Sequence, residues 1–332
     1  MSGLLSGLMS LGRRSSDAMM DYQTAKKRAA ESNAGARRKI AKQANVQREI
    51  LYFLAADADA GVRREIAANP ATPVQADNIL ARDSDETVRC HVARKIALLA
   101  PNLSATERDR AGDIVSDILE TLARDQASKI RRVLADELKD ARGVPQSVIE
   151  QLARDDDEAV CLPVLKSSPL LSDEFLIEII ESGPVRTALH AISGRKSLGA
   201  GVAEAIVATD DRAAITTLLS NKSAQIREET LDRLVDEATD ITEWHAPMVA
   251  RPSLSGRAAA TLSRFVADSL LERLMARDDL DPSVTEIVGA NVRRRLDALG
   301  DAGPVEEIRE SAIERVQRLL AGQNLTEAEV KA

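Results

Sequence analysis

The stretch Gly35-Ala36-Arg37-Arg38-Lys39-Ile40-Ala41 returns 26 residues later as Gly61-Val62-Arg63-Arg64-Glu65-Ile66-Ala67, with five of the seven positions identical. A second shift of 26 residues places Val88, Arg89, Val92 and Ala93 on the same pattern. Self-similarity at a fixed period of this length is the signature of a repeat array.

A short motif that ends in an acidic residue marks each copy. We call this acidic residue the anchor. Leu-Ala-Arg-Asp occupies residues 80–83 and returns at 122–125 and 152–155, with a weaker copy at 207–210. Apolar residues stand five and nine positions beyond each anchor, a spacing of four that puts both on one helical face. Proline-containing breaks lie between these stretches, at positions 70, 73, 101, 145 and 169. Each copy is therefore predicted to be two short helices, and stacked copies to form an all-α fold, an α-solenoid.

The regular pattern is interrupted in the middle and changes near residue 250. Ser104 and Glu107 form a capping box that predicts the start of a longer helix, in a copy about sixteen residues longer than the first ones. Residues 255–277 show helical periodicity without an internal proline, which predicts one long helix. Asp281-Pro282 and Gly303-Pro304 are expected to start two further helices. We expect a flexible N-terminal segment at 1–20, a helical repeat array at 21–250 and a C-terminal helical cap at 251–332.

Composition and charge favour a helical, cytoplasmic protein. Hydrophobic residues make up 44%, charged residues 30% and aromatic residues 2% of the chain, which is globular composition that favours helix over strand. Residues 1–48 carry ten basic and three acidic residues, a net charge of +7, so the remainder carries −15 of the total −8. There is no secretory signal pattern and no apolar stretch long enough for a transmembrane helix. The apolar residues of the N-terminal segment predict either a frayed terminus or weak contact with a membrane or partner; they are Leu4, Leu5, Leu8, Met9 and Leu11.

The residues that catalytic and metal sites need are sparse. Two cysteines, Cys90 and Cys161, suit a reducing compartment and are too few for a disulfide framework or a four-ligand zinc site. The three histidines have no metal-ligand spacing. Cys90 and His91 are neighbours on a predicted helix and point about 100° apart, which disfavours a nucleophile–base pair. We expect no metal, no cofactor and no enzymatic activity.

A basic stripe is the strongest candidate for a binding surface. Positions seven and eleven beyond the anchors carry Arg38, Lys42, Arg64, Arg94 and Arg132. In one interpretation the stripe binds an acidic partner; in the other it is a solvated helix face balanced by Glu65, Asp136 and Glu137.

The register Asp-Xaa4-Val-Arg, as in Asp57 to Arg63 and Asp83 to Arg89, resembles HEAT repeats. The resemblance implies a structural ladder between neighbouring repeats, in which Glu31, Asp57, Asp83 and Asp125 join Arg37, Arg63, Arg89 and Arg131. The ladder pattern is interrupted where Cys161 and Thr216 replace the arginine. The short period, with Ala-Ala-Asn-Pro-Ala-Thr-Pro at 67–73, is also similar to leucine-rich-variant repeats, whose iron–sulfur cysteines this chain lacks.

With the segments 251–258 and 269–280, the chain from about residue 20 to 300 resembles a bacterial family, mainly alphaproteobacterial, known as domain of unknown function 2336. That resemblance implies the repeat architecture and supplies no activity.

Three functions remain open from the sequence. The first is a non-enzymatic protein–protein interaction module, a cytoplasmic regulatory or adaptor protein, with self-association as a variant. The second is a nucleic-acid binder that uses the basic N-terminal repeats. The acidic chain, which is nearly free of aromatic residues, disfavours this function. Salt-sensitive retention of the protein on DNA or RNA would reveal it. The third is an enzyme whose site is assembled from distant repeats.

Overall fold

A computed structural model describes residues 21–300, which form helices and no strand. The predictions for the N-terminal segment and for a helix after Gly303-Pro304 lie outside these residues. The chain divides into two compact units between Arg195 and Lys196, so the boundary expected at residue 250 falls inside the second unit. None of the helices within 21–300 is long and apolar enough to cross a membrane.

The described part of the first unit, residues 21–195, contains six helix pairs. The first helices of the pairs are α1 (Tyr22–Ala29), α3 (Arg48–Leu54), α5 (Val74–Leu80), α7 (Ala105–Ala123), α9 (Gln146–Ala153) and α11 (Asp173–Glu181). The second helices are α2 (Ala34–Ala41), α4 (Ala60–Ala68), α6 (Glu86–Leu99), α8 (Ser128–Leu138), α10 (Glu158–Ser167) and α12 (Arg186–Ser193). The second helices pack against one another in sequence from α2 through α12, and the first helices do so from α1 through α9.

The second unit continues the same alternation. Between residues 196 and 300 its helices are α13 (Ala200–Val207), α14 (Arg212–Ser220), α15 (Glu228–Glu237), α16 (Thr242–Val249), α17 (Gly256–Leu262), α18 (Asp268–Met275) and α19 (Pro282–Gly300). Helix α14 packs against α16 and α16 against α18, while α15 packs against α17 and α17 against α19. Within each unit, the packing of helix pairs on their neighbours along the chain is the arrangement of an α-solenoid, and the predicted fold class is confirmed.

The apolar register of the sequence forms the core between neighbouring pairs. The residues nine positions beyond the anchors are at most 1% exposed; they are Ile40, Ile66, Val92, Leu134 and Val164. Val62, Val88, Ile130 and Val160, five positions beyond, are 0% exposed. Burial of about 25 cal/mol per Å² of apolar surface at each interface holds the pairs together.

Two local predictions concern where helices begin. The capping box is present at the start of α7: the Glu107 backbone N–H donates to Ser104 Oγ at 3.3 Å, and the Ser104 N–H donates to Glu107 Oε2 at 2.9 Å. The 19 residues of α7 and the 14 of α6 account for the extra length of this copy. The helix expected after Asp281 is α19, which starts at Pro282.

Two other predictions are wrong. Residues 255–277 form α17 and α18 rather than one long helix, because the chain turns after Leu262 and buries Val266 completely before α18 begins. The weak copy at 207–210 is out of register by one residue. Thr209, and not Asp210, stands at the anchor position, since its Oγ1 accepts from the Asp211 N–H at 3.3 Å, while Asp210 has a φ of +54°.

Candidate functional site

An arginine–aspartate ladder runs along the first unit at the amino-terminal ends of the second helices. Each ladder arginine lies four residues after the N-cap, the residue that caps the helix start, and pairs with the anchor aspartate of the next repeat. The Nε–Oδ2 distances are 2.6 Å for Arg37–Asp57, 2.6 Å for Arg63–Asp83, 2.6 Å for Arg89–Asp125 and 2.5 Å for Arg131–Asp155. The arginine side chains are 15–18% exposed and the aspartates 5–8%.

The same arginines also bind backbone in their own repeat. Arg63 Nη1 donates to the Asp57 and Ala58 carbonyls at 2.8 and 3.2 Å, and Arg89 and Arg131 repeat this geometry six and five residues upstream. Each anchor carboxylate accepts a further N–H two residues downstream, as Asp57 does from Asp59 at 2.8 Å. The hydrogen bond from Arg37 lowers the pKa of Asp57, although burial opposes it. Each rung thus joins two adjacent repeats through charge-assisted hydrogen bonds.

The predicted basic stripe forms a second, outer row of ion pairs. Each of its five cations faces a carboxylate of the following repeat: Arg38–Asp59 at 2.8 Å, Lys42–Glu65 at 3.2 Å, Arg132–Asp157 at 2.7 Å, Arg94–Glu137 at 3.9 Å, and Arg64–Asp85. Their side chains are 46–64% exposed. The arrangement corresponds to a balanced, solvated face, because opposite charges at these distances cancel much of the potential that would attract an acidic partner.

A third row of contacts, which the sequence analysis missed, caps the carboxyl-terminal ends of second helices. Arg251 donates to the Asn221 and Ala224 carbonyls at 3.1 and 2.7 Å, and Arg277 to those of Val249 and Arg251 at 2.8 and 2.7 Å. Arg195 caps the Leu165 and Ser168 carbonyls in the same way in the first unit. Cations at helix carboxyl ends satisfy unpaired carbonyls and oppose the negative end of the dipole. The recurrence of arginine at 251 and 277, again 26 residues apart, was the sequence signal from which this row of contacts could have been predicted.

A buried ion pair lies inside the third helix pair. Asp77 of α5 is 1% exposed, and its carboxylate lies 2.6 Å from Nζ of Lys95 in α6. Burial raises the pKa of Asp77 to about 6, against the opposing effect of Lys95, and burial lowers the pKa of Lys95. The equivalent positions in α3 and α7 are Leu51 and Leu119, both fully buried.

Three apolar side chains lie exposed on two adjacent first helices. Phe53 of α3 is 64% exposed, Tyr52 is 46% and Ile79 of α5 is 44%. Phe53 and Ile79 occupy the same position, four residues before their anchors, and α3 packs against α5. The same position in α7 and α9 holds the polar residues Thr121 and Gln151. We call Tyr52, Phe53 and Ile79 the apolar patch.

A cavity of about 350 Å³ opens in the first unit between α9–α10 and α11–α12. It is lined by Asp155, Asp156, Glu158, Cys161, Leu165, Ile179, Val185 and Ala188, among others. Arg154 also lines the cavity; its guanidinium lies 4.5 Å above the Phe175 ring and 2.9 Å from the Glu178 carboxylate.

The cysteines and histidines do not assemble in the part of the chain that the structure describes. Both thiols are free, and burial raises the pKa of each, which disfavours the nucleophilic thiolate. His245 is buried against Phe265, with Nε2 2.7 Å from the Ala238 carbonyl. Residues 21–300 contain no group of three His, Cys, Asp or Glu side chains arranged to hold a metal ion.

Comparison with known proteins gives a family and no activity. A solved structure of a designed armadillo repeat protein is 12% identical to the chain; the match covers 82% of this chain and 99% of that one, with a TM-score of 0.22. The assignment of the fold does not depend on that match and follows from the helix packing. No curated protein matches. Residues 160–330, half of the chain, match the family described as an uncharacterised protein conserved in bacteria, DUF2336. The chain therefore belongs to the DUF2336 family.

Proposed function

We propose that this protein is a non-enzymatic protein–protein interaction module, a regulatory or adaptor protein of the cytoplasm, which binds an apolar segment of its partner at the apolar patch. The free thiols of Cys90 and Cys161 are compatible with a reducing compartment. An α-solenoid of helix pairs offers extended surfaces suited to this role.

The observation that carries the proposal is the exposure of Phe53 and Ile79 at matching positions of neighbouring helices. Single exposed apolar residues are ordinary on protein surfaces, but a contiguous group marks an interaction site. Aromatic residues are also enriched among those that dominate binding energy at interfaces. With aromatics at only 2% of the chain, two adjacent exposed aromatic side chains are a concentrated feature.

The ion pairing of the basic stripe argues against the sequence-based expectation of an acidic partner. All five cations lie against carboxylates, so the stripe offers little free positive charge to an acidic protein or to nucleic acid. The proposal therefore places the partner on the apolar patch and assigns the stripe to the contacts between repeats.

The proposal is tested with the double variant Phe53→Ser and Ile79→Ser. We expect it to keep the helical circular-dichroism spectrum of the wild type, because both side chains are exposed, and to lose its partner in affinity purification with quantitative mass spectrometry. The matched control is Leu98→Ser, which removes an exposed apolar side chain, 55% exposed, from the second helix α6. Retention of the same partners by the double variant would refute the role of the patch.

A further inference from the structure

The ladder stops after Asp155 because both members of the next rung are missing. The arginine position, four residues after N-cap Asp157, holds Cys161. The anchor position, two residues before N-cap Val185, holds Gly183, whose φ of +73° turns the chain between α11 and α12. The cavity lined by Cys161 lies at this missing rung.

The break leaves two carbonyl groups without their usual donor. In all four preceding rungs one guanidinium donates to the carbonyls six and five residues upstream: Arg37 to Glu31 and Ser32, Arg63 to Asp57 and Ala58, Arg89 to Asp83 and Ser84, and Arg131 to Asp125 and Gln126. The counterparts at the break are the carbonyls of Asp155 and Asp156, two residues that line the cavity. Within residues 21–300 no side chain donates to these two carbonyls.

The one cation among the described residues that line the cavity, Arg154, is paired with Glu178, so the remaining charges of the cavity favour a cation with an apolar stem. Asp156 and Glu158 are exposed at its edge, and in the described part of the chain neither forms an ion pair; Glu158 accepts a hydrogen bond from Thr187 at 3.0 Å. The walls include Leu165, Ile179 and Val185. Burial raises the pKa of the Cys161 thiol, and the negative charge of the nearby Asp155 carboxylate raises it further.

We propose that this cavity binds the guanidinium group of an arginine side chain from a protein partner, which takes the place of the missing rung. A guanidinium is planar, always charged and presents several N–H groups, so it can serve two adjacent carbonyls and a carboxylate together. The arginines of the intact rungs make those carbonyl contacts within this chain. The inference rests on the proposed function only for the source of the arginine, and it involves a surface separate from the apolar patch.

The test is a titration of the full-length protein with N-acetyl-L-arginine amide, followed by the backbone amide signals in NMR. A single side chain in an open cavity is expected to bind with a Kd of roughly 1–10 mM. We expect saturable shifts at residues 155–161 and 183–188, and at least tenfold weaker binding of N-acetyl-L-lysine amide, which lacks the planar fork. Absence of shifts there, or equal binding of the lysine compound, would overturn the proposal. Tighter binding of free arginine than of the blocked compound would instead indicate a small-molecule site and refute the peptide source.

Variants link the binding to the missing rung. Cys161→Arg is expected to place a guanidinium on the same two carbonyls, raise thermal stability and weaken binding of the arginine compound at least tenfold. Asp156→Asn with Glu158→Gln removes the edge charges without filling the cavity and should weaken binding severalfold, even if Cys161→Arg does not fold. Asp109→Asn with Asp113→Asn in α7 removes the same charge elsewhere and serves as the control. Unchanged affinity in the Asp156/Glu158 variant would contradict the site, whereas failure of the apolar-patch variants would not.

Discussion

Replacing Arg63 by Ala should destabilise the first unit far more than replacing its neighbour Arg64. The two arginines are adjacent on α4, and both pair with aspartates of the next repeat. They differ in burial: the Arg63–Asp83 side chains are 15% and 7% exposed, while those of Arg64 and Asp85 are 46% and 17% exposed. The comparison therefore isolates the effect of position in the ladder.

The magnitude follows from the contacts that are lost. Arg63 makes four hydrogen bonds, at 2.6 and 3.0 Å to the Asp83 carboxylate and at 2.8 and 3.2 Å to the Asp57 and Ala58 carbonyls. Truncation leaves a nearly buried carboxylate without its cation, for which a loss of about 3–5 kcal/mol is typical in a fully buried site. Because the guanidinium edge reaches solvent, we expect about 2–3 kcal/mol for Arg63→Ala. Arg64→Ala should cost a small fraction of this, since exposed pairs are screened by water and salt.

The assay is urea unfolding followed by circular dichroism, with hydrogen exchange of α4 and α6 to locate the loss, because repeat arrays do not always unfold in one step. Partner binding at the apolar patch should be unchanged in Arg63→Ala. Equal midpoints for Arg63→Ala and Arg64→Ala would show that the inner ladder is not the stabilising row, and loss of partner binding without loss of stability would make Arg63 a binding residue.

Two further predictions concern buried charges. The pKa of Asp77 is raised from 3.8 to about 6, so the folded chain holds its proton more tightly than the unfolded chain, and this group should make stability fall as the pH rises from 4 to 6. In the double variant Asp77→Leu and Lys95→Met, this fall should disappear from urea midpoints, and stability at pH 7 should be equal to or above that of the wild type. A steeper fall in the double variant would contradict the prediction. Arg251→Ala removes a side chain that is 7% exposed and donates to two carbonyls, so it should speed hydrogen exchange at the end of α14. Arg257→Ala, at an exposed arginine, should leave exchange there unchanged. Equal exchange rates in both variants would refute the capping role.

Repeats with close sequence copies could be predicted well. The 26-residue shift and the anchors predicted the helix pairs from α1–α2 to α9–α10 and the buried positions from Ile40 to Val164, but not the pair α11–α12, which has no anchor. Local capping chemistry also sufficed where it was strong, as at Ser104 and Asp281. Both kinds of signal depend on residues close together in the chain or at one fixed separation.

The failures arise from contacts between repeats. Leu262, Val266 and Leu270 fit one helical stripe, yet only tertiary packing reveals that the chain turns at Val266. The basic residues of the stripe could be recognised in the sequence. Their partners are mostly 21–25 residues away in the next repeat, so the pairing became clear only with the fold. The replacement of arginine by Cys161 was visible too. The cavity also depends on the path of the chain at Gly183.

The most direct test of the proposed function is site-specific photo-crosslinking in living cells. A photoreactive phenylalanine analogue is placed at Phe53, and the matched control carries it at Gln151, the exposed equivalent position in α9. Because the two sites share register and helix type, they differ chiefly in the apolar surroundings of position 53. We predict a discrete crosslinked protein from position 53 that the additional substitution Ile79→Ser removes, and none from position 151. The same crosslinks from both positions, or none from position 53, would contradict a partner-binding role for the apolar patch.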